Sequence, residues 1–507
     1  MTKHRQNRGR RKRENPYFQP GAPGSADLRN RAKIEMASNG LRSAFEPECQ
    51  DQIEEDTRNQ SRIRSATVRD LRDLLWSSID NVDSMDLDQI EYAERLEGGQ
   101  VRVMVGIADV DAFVPKGSPI DLHARGNTTS VYTGVMNFPM LPDALSYDMT
   151  SLLPDVDRLA VVIDLVIDKS GKVSSSQVYR AMVRNKAKLD YRMVGRWLDE
   201  GGSAPDKIAK VKGLPGQLLL QNKVKEEILA VRNEHGSLFL QTIEARAVAD
   251  QGVVLSLELV EQNPARDLIE NLMIAANVAI SKLLDEAKVP SIKRVVRVPE
   301  RWPKIVEMAN SMGWNLPNNP DAKSLQAFLL DQSQKDPTRF PDLSLRVVKL
   351  LGKGEYIIDT PGQEDPGHFA LAVNDYTHAT APNRRYVDLV TQRLIKAVIA
   401  GRPIPYNLDE LNDIALECTR RSDTAKKVER TMRKVAAASL LAGHIGEVYD
   451  AIVTGVKDEN TYVRLLKPPA EGRVVEGAAG LDVGDEIKVK LLSVDQEQAF
   501  IDFACVD

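Results

Sequence analysis

Four aspartates fall within nine residues of the chain: Asp80, Asp83, Asp86 and Asp88. Carboxylates this close repel one another, and oxygen ligands with no His or Cys beside them favour a hard divalent cation, Mg²⁺ or Mn²⁺, over Zn²⁺. Such an ion suits phosphoryl chemistry, because it neutralises phosphate charge and lowers the pKa of a bound water. A solvated acidic loop is the alternative. The stretch lacks the Gly and the later Glu of an EF-hand calcium loop.

Several further motifs follow the aspartates. They are residues 106–110 (GIADV), 130–132 (SVY), 138–142 (FPMLP), 151–154 (SLLP), 368–371 (HFAL) and 376–386 (YTHATAPNRRY). In order and spacing, these motifs together resemble the RNase II family of exoribonucleases. The resemblance covers about residues 64–401. Because separate motifs agree, it favours a catalytic interpretation over an acidic loop.

The resemblance implies that Asp80, Asp86 and Asp88 bind Mg²⁺, with Mn²⁺ as the alternative ion, or orient its water. Asp88 is implied to polarise the attacking water. The fourth position of the family's acidic motif is usually Asp, and here it is Gln89. Gln89 can offer a neutral carbonyl ligand, but the lost charge should weaken the cation site. Asp83 could compensate, although its position usually faces away in the family.

The resemblance also assigns the phosphate contact. Arg384 matches the family arginine that touches the phosphate being cleaved, and a guanidinium suits this role because it stays charged and grips two phosphate oxygens. Arg385 belongs to the same motif and is implied to bind RNA beside it. Two neighbours depart from the family, which usually has Ser and Ile where this chain has Ala381 and Asn383.

Aromatic and acidic side chains are implied to hold the RNA end. Tyr132 aligns with the family tyrosine that sets the terminal nucleotide in place, and a base stacks on an aromatic ring whatever its identity. Tyr191 and Glu270 match positions that read the ribose, where a hydrogen bond to the 2′-hydroxyl distinguishes RNA from DNA. Glu429 matches a glutamate near the terminal nucleotide. An ordinary core or surface role is the alternative for each. The resemblance thus implies three catalytic residues, Asp88, Arg384 and Tyr132, and RNA contacts from Tyr132, Tyr191, Glu270, Arg384, Arg385 and Glu429.

Alternating and helical patterns predict the elements that position these residues. Strands are predicted over 101–108, 160–167 and 172–180. Apolar residues at helical spacing predict a long helix over 264–286, and a second amphipathic helix is predicted over 385–400. Asp86 and Asp88, two residues apart in an extended segment, should project from one face while Leu87 enters the core.

The chain divides into five predicted segments of an α+β protein. A disordered basic arm (1–25) and a short helical region (26–64) precede the main domain (65–401). The resemblance implies that this domain is RNB-type, a mixed sheet with surrounding helices. A helical connector (402–445) leads to residues 446–507. Short strands over 449–456, 461–465, 486–494 and 499–503, with Gly-rich turns, predict a five-stranded OB barrel there, similar to the S1 RNA-binding domain.

Charge and cysteine content bound the partners. The net charge is −5, yet residues 1–13 carry seven basic residues and no acid, while residues 446–507 carry six basic against thirteen acidic residues. A chain this acidic must bind RNA in a locally basic groove or through its arm. Three scattered cysteines and the lack of any apolar run of bilayer length favour a cytoplasmic location and no membrane contact.

We therefore expect a monomeric, Mg²⁺-dependent enzyme that acts on single-stranded RNA. The resemblance implies hydrolysis from the 3′ end with release of nucleoside 5′-monophosphates. The alternative is an RNA-binding or regulatory protein that keeps the fold with weakened or lost catalysis. Gln89, Asn383 and the acidic barrel favour that alternative.

Overall fold

The computed structural model describes residues 27–64, 68–362, 366–457 and 460–506, so the predicted basic arm lies outside them. The helices of the described chain are α1 Arg29–Ser38, α2 Pro47–Arg64, α3 Pro119–Asn127, α4 Tyr191–Glu200, α5 Asp206–Ala209, α6 Leu214–Glu234, α7 Pro264–Glu286, α8 Trp302–Ser311, α9 Ala322–Lys335, α10 Phe340–Leu351, α11 Tyr386–Ile399 and α12 Leu408–Leu441.

The strands are β1 Arg69–Asp70, β2 Ser77–Asp80, β3 Gln89–Arg95, β4 Val101–Ala108, β5 Val131–Tyr132, β6 Asn137–Phe138, β7 Asp157–Ile167, β8 Val173–Arg184, β9 Ala187–Asp190, β10 Glu244–Asp250, β11 Val253–Val260, β12 Ser291–Val295, β13 Glu355–Asp359, β14 Val448–Lys457, β15 Asn460–Leu465, β16 Glu471–Glu476, β17 Glu486–Asp495 and β18 Phe500–Cys505.

A seven-stranded sheet forms the centre of the main domain, in the order β1-β8-β7-β4-β3-β2-β9. The inner strands β4 and β7 are nearly continuous apolar runs and are buried on both faces, as expected for strands covered on both sides. The pairs from β8 to β2 are antiparallel, while β1 joins β8 and β9 joins β2 in parallel. The sheet is therefore mixed, and the α+β prediction is confirmed.

Helix α7 packs against the sheet strands β4, β7 and β8 and against helices α4, α6 and α11. Two residues set the start of this helix. The Asn263 side chain accepts hydrogen bonds from the backbone N–H groups of Ala265 and Arg266, and Pro264 fills the first helical position. Its observed bounds match the predicted helix. None of the helices in the described ranges is long and apolar enough to cross a membrane.

The C-terminal strands close into a five-stranded barrel in the order β14-β15-β16-β18-β17, which confirms the predicted barrel. A second hydrophobic core joins this barrel to the rest of the molecule. It contains residues from helix α1, the β5–β6 hairpin, the β10–β11 hairpin, the second half of α12 and the barrel itself. The buried ion pair of Arg464 with Asp342, at 3.1 Å, ties β15 to α10.

Three details differ from the sequence predictions. Residues Arg69 and Asp70 form a short strand beside β8, which is not among the predicted strands. Residues 86–88 precede β3 instead of lying within a strand, although Leu87 is buried as predicted. Strand β16 was not among the predicted barrel strands; it contains Gly472, where a Cβ atom would meet the Phe503 ring.

Candidate active site

Asp80 is the last residue of β2, next to the loop that carries the other aspartates. Its Oδ1 atom accepts hydrogen bonds from the Asn81 N–H at 2.7 Å and the Ser84 hydroxyl at 2.9 Å. Burial raises the pKa of Asp80, and the charge of Asp86 adds to the increase, so the two carboxylates are electrostatic neighbours.

Ser151 fixes the loop between Asp80 and β3. Its hydroxyl accepts a hydrogen bond from the Leu87 N–H at 3.0 Å and donates one to the Met85 carbonyl at 2.6 Å. The Leu152 N–H donates to the Leu87 carbonyl at 3.0 Å. With Leu87 anchored in this way, the side chains before and after it are held toward the site.

Asp88 is the most buried of the three aspartates, with 2% of its surface exposed. Its Oδ1 atom accepts a hydrogen bond from the Asn383 N–H at 2.9 Å, and its Oδ2 atom lies 3.5 Å from Arg384 Nε. Burial raises the pKa of Asp88 to about 8, and the positive charge of Arg384 opposes the increase. The Arg384 side chain remains 48% exposed, so it can touch both Asp88 and a ligand in solvent.

Tyr132 is the last residue of strand β5 and contacts the loop that carries the aspartates. Its hydroxyl donates a hydrogen bond to Asp86 Oδ2 at 2.7 Å, and its backbone N–H donates to Glu429 Oε1 on α12 at 2.9 Å. Burial and the charge of Asp86 raise the pKa of the Tyr132 hydroxyl, so it stays protonated. The residue is 38% exposed, which leaves part of the ring available to a base.

A ladder of backbone contacts joins the loop of Arg384 to the segment that leads into Tyr132. The Arg384 carbonyl accepts hydrogen bonds from the Ser130 N–H and the Thr129 hydroxyl, both at 3.0 Å. Thr129 and Arg385 form an antiparallel bridge. The loop that carries Arg384 is therefore hydrogen-bonded directly to the segment that leads into Tyr132.

Arg385 points elsewhere. Its guanidinium donates a hydrogen bond to Asp388 Oδ1 at 2.7 Å, and the same oxygen accepts from the Ala381 N–H at 2.8 Å. The pair closes the arginine loop against the start of α11. Arg385 therefore supports the loop, and its contact with RNA stays a prediction.

Tyr191 begins helix α4, and Glu270 lies on helix α7. Arg266 lies above the Tyr191 ring at 4.3 Å and donates a hydrogen bond to Asn81 Oδ1 at 3.0 Å. Burial raises the pKa of Tyr191, and the charge of Asp80 adds to the increase. Glu270 is exposed on α7, one turn beyond Arg266. The ribose contacts predicted for Tyr191 and Glu270 stay predictions.

The two polar residues considered for the fourth carboxylate position have different surroundings. Gln89 is the first residue of β3, is partly exposed and pairs with Ile107 of β4. Asp83 is mostly exposed and forms an ion pair with Arg246 of β10 at 3.1 Å. The Asp83 carboxylate is therefore engaged by Arg246, and its compensation for Gln89 stays a prediction.

The donor atoms fit a hard divalent cation. One oxygen of Asp88, Oδ2, is buried and accepts no hydrogen bond from the described residues. Within the described chain, one set of three His, Cys, Asp or Glu residues has its ligand atoms within 4.8 Å of one another, and it consists of Glu46, Cys49 and His123. The oxygens of the three aspartates are therefore spread more widely than the ligands of a closed metal cage. Open spacing suits Mg²⁺, which usually keeps several waters and binds through few carboxylates plus substrate phosphate.

The Glu46 group forms a polar contact between helices. His123 Nδ1 lies 2.7 Å from one carboxylate oxygen of Glu46, and Arg42 Nη1 lies 2.9 Å from the other. Both carboxylate oxygens of Glu46 therefore have partners, and one of these partners is the fixed positive charge of Arg42. We interpret the group as a contact that joins the N-terminal region to α3.

Sequence reasoning missed several residues that hold the site together. Asn383 entered only as a departure from the family, yet its N–H binds Asp88 and its side-chain oxygen accepts from the Thr150 hydroxyl at 2.5 Å. The SLLP motif was the available signal for Ser151, which fixes the aspartate loop. Glu91 gave no sequence signal; it is fully buried on β3.

Comparison with known proteins agrees with this geometry. The family model of the RNB domain matches residues 68–401. The chain belongs to the RNB family. The model of the RNase II-type exonuclease C-terminal S1 domain matches residues 447–506, the barrel that follows the RNB domain. RNB-domain proteins of the RNase II type are generally metal-dependent.

Ribonucleases R are similar to this RNB-domain chain along most of its length. Ribonuclease R 1 of Lactococcus lactis is 28% identical over 500 residues, covering 92% of this chain and 60% of the relative. Ribonuclease R of Escherichia coli is 27% identical over 474 residues, covering 86% and 57%. The chain thus spans about 60% of the length of these relatives.

Solved structures share the fold. Mycoplasma genitalium RNase R in complex with ribose-methylated single-stranded RNA superimposes with a TM-score of 0.83 at 22% identity, covering 95% of this chain and 78% of that one. Yeast Ssd1, a pseudonuclease, superimposes with a TM-score of 0.64 at 18% identity, covering 85% and 52%.

Proposed function

We propose that this RNB-domain protein is a divalent-cation-dependent exoribonuclease that hydrolyses single-stranded RNA from its 3′ end and releases nucleoside 5′-monophosphates. The observation that carries the proposal is the meeting of the arginine and the aspartates at one place: Arg384 Nε lies 3.5 Å from Asp88 Oδ2, and the neutral Tyr132 hydroxyl lies 2.7 Å from Asp86 Oδ2. The similarity to ribonucleases R, one of which binds single-stranded RNA, supports the same conclusion.

Each side chain has a task in the hydrolysis. Asp80, Asp86 and Asp88 would hold the ion, Mg²⁺ with Mn²⁺ as the alternative, and Gln89 would offer a neutral carbonyl beside them. The bound cation neutralises phosphate charge and acidifies water. Asp88 would orient and polarise the attacking water, and Arg384 would donate hydrogen bonds to the phosphate oxygens as negative charge develops.

The RNA end is held by groups around the aspartates. The Tyr132 ring would stack on the terminal base. Glu429 binds the backbone N–H of Tyr132, and Asp86 binds its hydroxyl, so both hold the ring in place. Tyr191 and Glu270 would bind the ribose, where the 2′-hydroxyl is the group that DNA lacks. Arg385 keeps the arginine loop closed and borders the same strand of RNA.

Product analysis on an RNA labelled at its 5′ end tests the proposal. With Mg²⁺, the expected result is a ladder that shortens from the 3′ end, with nucleoside 5′-monophosphates as product. EDTA should stop the reaction, and a DNA oligomer of the same sequence should resist it. An Asp199→Asn variant, the same change at an exposed position of α4, serves as a preparation control for the Asp88→Asn variant. Release of oligonucleotides, or no release at all, would contradict the proposal.

A second candidate function is RNA binding without hydrolysis. The observation that favours it is Gln89, which removes one carboxylate from the cation site. The fold of the pseudonuclease Ssd1 is compatible with it. In the same experiment, this function predicts that the labelled RNA shifts on a native gel while its length stays unchanged with Mg²⁺ or Mn²⁺.

We also propose a cellular compartment, a partner and an oligomeric state for the enzyme. Cys49 and Cys418 are buried thiols, which supports a reducing compartment such as the cytoplasm. Single-stranded RNA is the proposed partner, and a monomer is the proposed state. Size-exclusion chromatography with light scattering checks the state.

A further inference from the structure

Arg266 is an arginine at the edge of the candidate active site whose partner is neutral. It lies in the first turn of α7 and is partly exposed. Its Nη2 atom donates a hydrogen bond to Asn81 Oδ1 at 3.0 Å, and its Nε atom has no acceptor among the described residues. By contrast, the buried Arg393 and Arg464 each bind an aspartate, at 2.8 Å and 3.1 Å. The described chain therefore leaves the charge of Arg266 without a counterion.

The guanidinium of Arg266 lies where two parallel strands of the sheet end. Asp80 of β2 and Asp190 of β9 are register partners, so the residues that follow them, Asn81 and Tyr191, leave the sheet side by side. Arg266 contacts both of these residues, because its guanidinium also lies 4.3 Å from the centre of the Tyr191 ring. The Asn81 N–H donates to Asp80 Oδ1 at 2.7 Å. A cationic side chain thus stands beside a proposed ligand of the divalent ion.

The packing of α4 against α7 holds Arg266 on the Tyr191 ring. Asn263, which caps α7, lies so close to Gly195 of α4 that a Cβ atom there would come within 2.5 Å of its side chain. The Asp190 side chain caps α4 by accepting a backbone hydrogen bond at 2.8 Å. An aromatic face attracts a guanidinium. The charge is therefore held in one place before a ligand arrives, which lowers the entropic cost of binding.

A phosphate is the ligand that this arrangement suits. A guanidinium stays charged and donates to two phosphate oxygens at once. In the proposed reaction, Arg384 contacts the phosphate that is cut, and the nucleotide released from the 3′ end carries no other phosphate. A second phosphate contact of the bound strand must therefore lie on the 5′ side of the cut.

We propose that Arg266 binds a backbone phosphate of the RNA on the 5′ side of the bond that is cut, with the Tyr191 ring as its support. The inference rests on the proposed function for the direction of the strand, and it adds a phosphate contact to that function. The alternative is that Arg266 only offsets the negative charge of the aspartates. In that case its removal would alter Mn²⁺ affinity and leave phosphate binding unchanged.

RNA binding in EDTA, which prevents turnover, tests the inference by fluorescence anisotropy of the full chain. Arg266→Met should weaken binding about 10-fold, the ratio that 1.4 kcal/mol represents, since a hydrogen bond to a charged group contributes about this much. The salt dependence of the association constant should fall by about 0.7 in slope, the share of one phosphate of a single strand. Arg420→Met, at a surface arginine paired with Glu417, is the matched control and should change neither value.

Oligomers with one neutral methylphosphonate make the test specific. The sugar before the altered linkage carries a 2′-O-methyl group in both the test and the control oligomers, because a free 2′-hydroxyl would attack the methylphosphonate. At one linkage on the 5′ side of the last, the replacement should weaken wild-type binding about 10-fold and Arg266→Met binding not at all. Arg266→Lys, which keeps a charge but not the planar fork, should bind with intermediate affinity. Circular dichroism checks that each variant is folded.

Wild-type affinity and salt slope in a folded Arg266→Met chain would overturn the inference. Equal methylphosphonate effects in the two proteins at every linkage, or a difference confined to the last linkage, would overturn it as well. So would a loss of Mn²⁺ affinity, measured by calorimetry, with unchanged RNA affinity.

The readout needs no turnover, so failure of this inference is separate from failure of the proposed function. A protein that releases no nucleotide but binds a phosphate through Arg266 would refute the nuclease and keep the contact. An active nuclease whose RNA affinity ignores Arg266 would do the reverse.

Discussion

Asp88 joins the aspartate loop to the loop that carries Arg384. Its two oxygens face the Asn383 N–H and Arg384, which are far along the chain from it. An Asn side chain at position 88 can still accept the hydrogen bond from Asn383, but it carries no charge. The substitution therefore separates the chemical role of the residue from its structural one.

We expect Asp88→Asn to lower the single-turnover rate by about 10²–10⁴-fold, the usual contribution of a positioned acid or base. RNA affinity should stay within about 3-fold, because Tyr132 and Arg384 remain in place. Fluorescence anisotropy with an RNA oligomer measures affinity, and rapid quench measures the rate. An equal loss of affinity and rate would instead indicate that Asp88 is structural.

Tyr132 combines a ring that can stack with a hydroxyl bound to Asp86. Tyr132→Ala should weaken RNA binding by about 1–3 kcal/mol, which is roughly 5- to 150-fold, because it removes the stacking surface. Tyr132→Phe keeps the ring and should retain most of the affinity. If both variants lose affinity equally, the hydroxyl, and not the ring, holds the RNA.

Motif order predicted the meeting of Asp80, Asp86, Asp88 and Arg384, because those residue types recur at fixed places along the chain. The environment of each residue was beyond prediction. Asp83 looks like its neighbours in the sequence, and only the folded hairpin β10–β11 brings Arg246 to it. Glu91 reads as one charged residue in a strand until the structure shows that it is buried.

At the scale of elements, helix α11 follows the arginine loop and is fixed by ion pairs to the segment after β4 and to α3. Arg393 binds Asp111 at 3.0 Å and Asp121 at 2.8 Å, and its guanidinium also donates to the Tyr406 hydroxyl at 2.6 Å. Lys396, one turn later, binds Asp109 at 2.7 Å. These contacts set where the loop before the helix lies.

Arg393→Met should lower the free energy of unfolding by about 3–5 kcal/mol, because it leaves buried carboxylates uncompensated. Arg420→Met is the matched control. Arg420 pairs with Glu417 at the surface, where an ion pair contributes about 0–1 kcal/mol. Urea unfolding followed by circular dichroism gives both values. Similar values for the two variants would show that the buried network is not stabilising.

His368 begins the short turn at 369–371 and accepts a hydrogen bond from the Leu371 N–H through Nδ1 at 3.2 Å, which requires the neutral ring. Burial lowers the pKa of His368 from 6.5 to about 4. The unfolded chain therefore binds more protons than the folded one between these values. The stability that depends on the neutral ring is complete above pH 6.5 and is lost as the pH falls toward 4.

Lowering the pH from 7.5 to 5 should therefore cost about 1–2 kcal/mol at His368. His368→Asn, whose side-chain oxygen can accept the same hydrogen bond without titrating, should reduce the pH-dependent loss by that amount. His235→Asn, at an exposed position, is the control. Calorimetry at several pH values measures the effect, and parallel curves for all three proteins would refute it.

The long periodic elements were predictable and the irregular ones were not. Helix α7 and strand β4 have strong patterns and caps, and their observed bounds match the predictions. Strand β16 has a Gly where the Phe503 ring packs, so its sequence lacks strand character. Residues 86–88 leave the strand pattern because Ser151 holds their backbone, a contact between distant segments.

At the scale of the whole molecule, charge is unevenly distributed. The seven basic residues of the arm lie outside the described ranges, and the barrel carries a net negative charge. Deleting residues 1–26 should therefore weaken RNA binding mainly at low salt. The slope of the logarithm of the RNA association constant against the logarithm of salt concentration should decrease in magnitude by up to about 5. Each basic side chain that neutralises a phosphate of single-stranded RNA contributes about 0.7 to this slope.

Anisotropy titrations between low and high salt measure this slope for the full and shortened chains. Replacing the arm by a neutral Gly-Ser segment of equal length controls for its bulk. Unchanged slopes would assign the arm a role other than RNA attraction.

Helix α12 runs unbroken for 34 residues, about 51 Å, from its capping box at Asn407 to the start of the barrel. Glu429, which holds the backbone of Tyr132, lies along this rod, and the second half of the rod is packed in the core that it shares with the barrel. One continuous helix therefore supports both the barrel and the backbone of the residue that we propose to stack on the terminal base. Because a packed helix moves as a unit, we expect a displacement of the barrel along α12 to change the position of Tyr132.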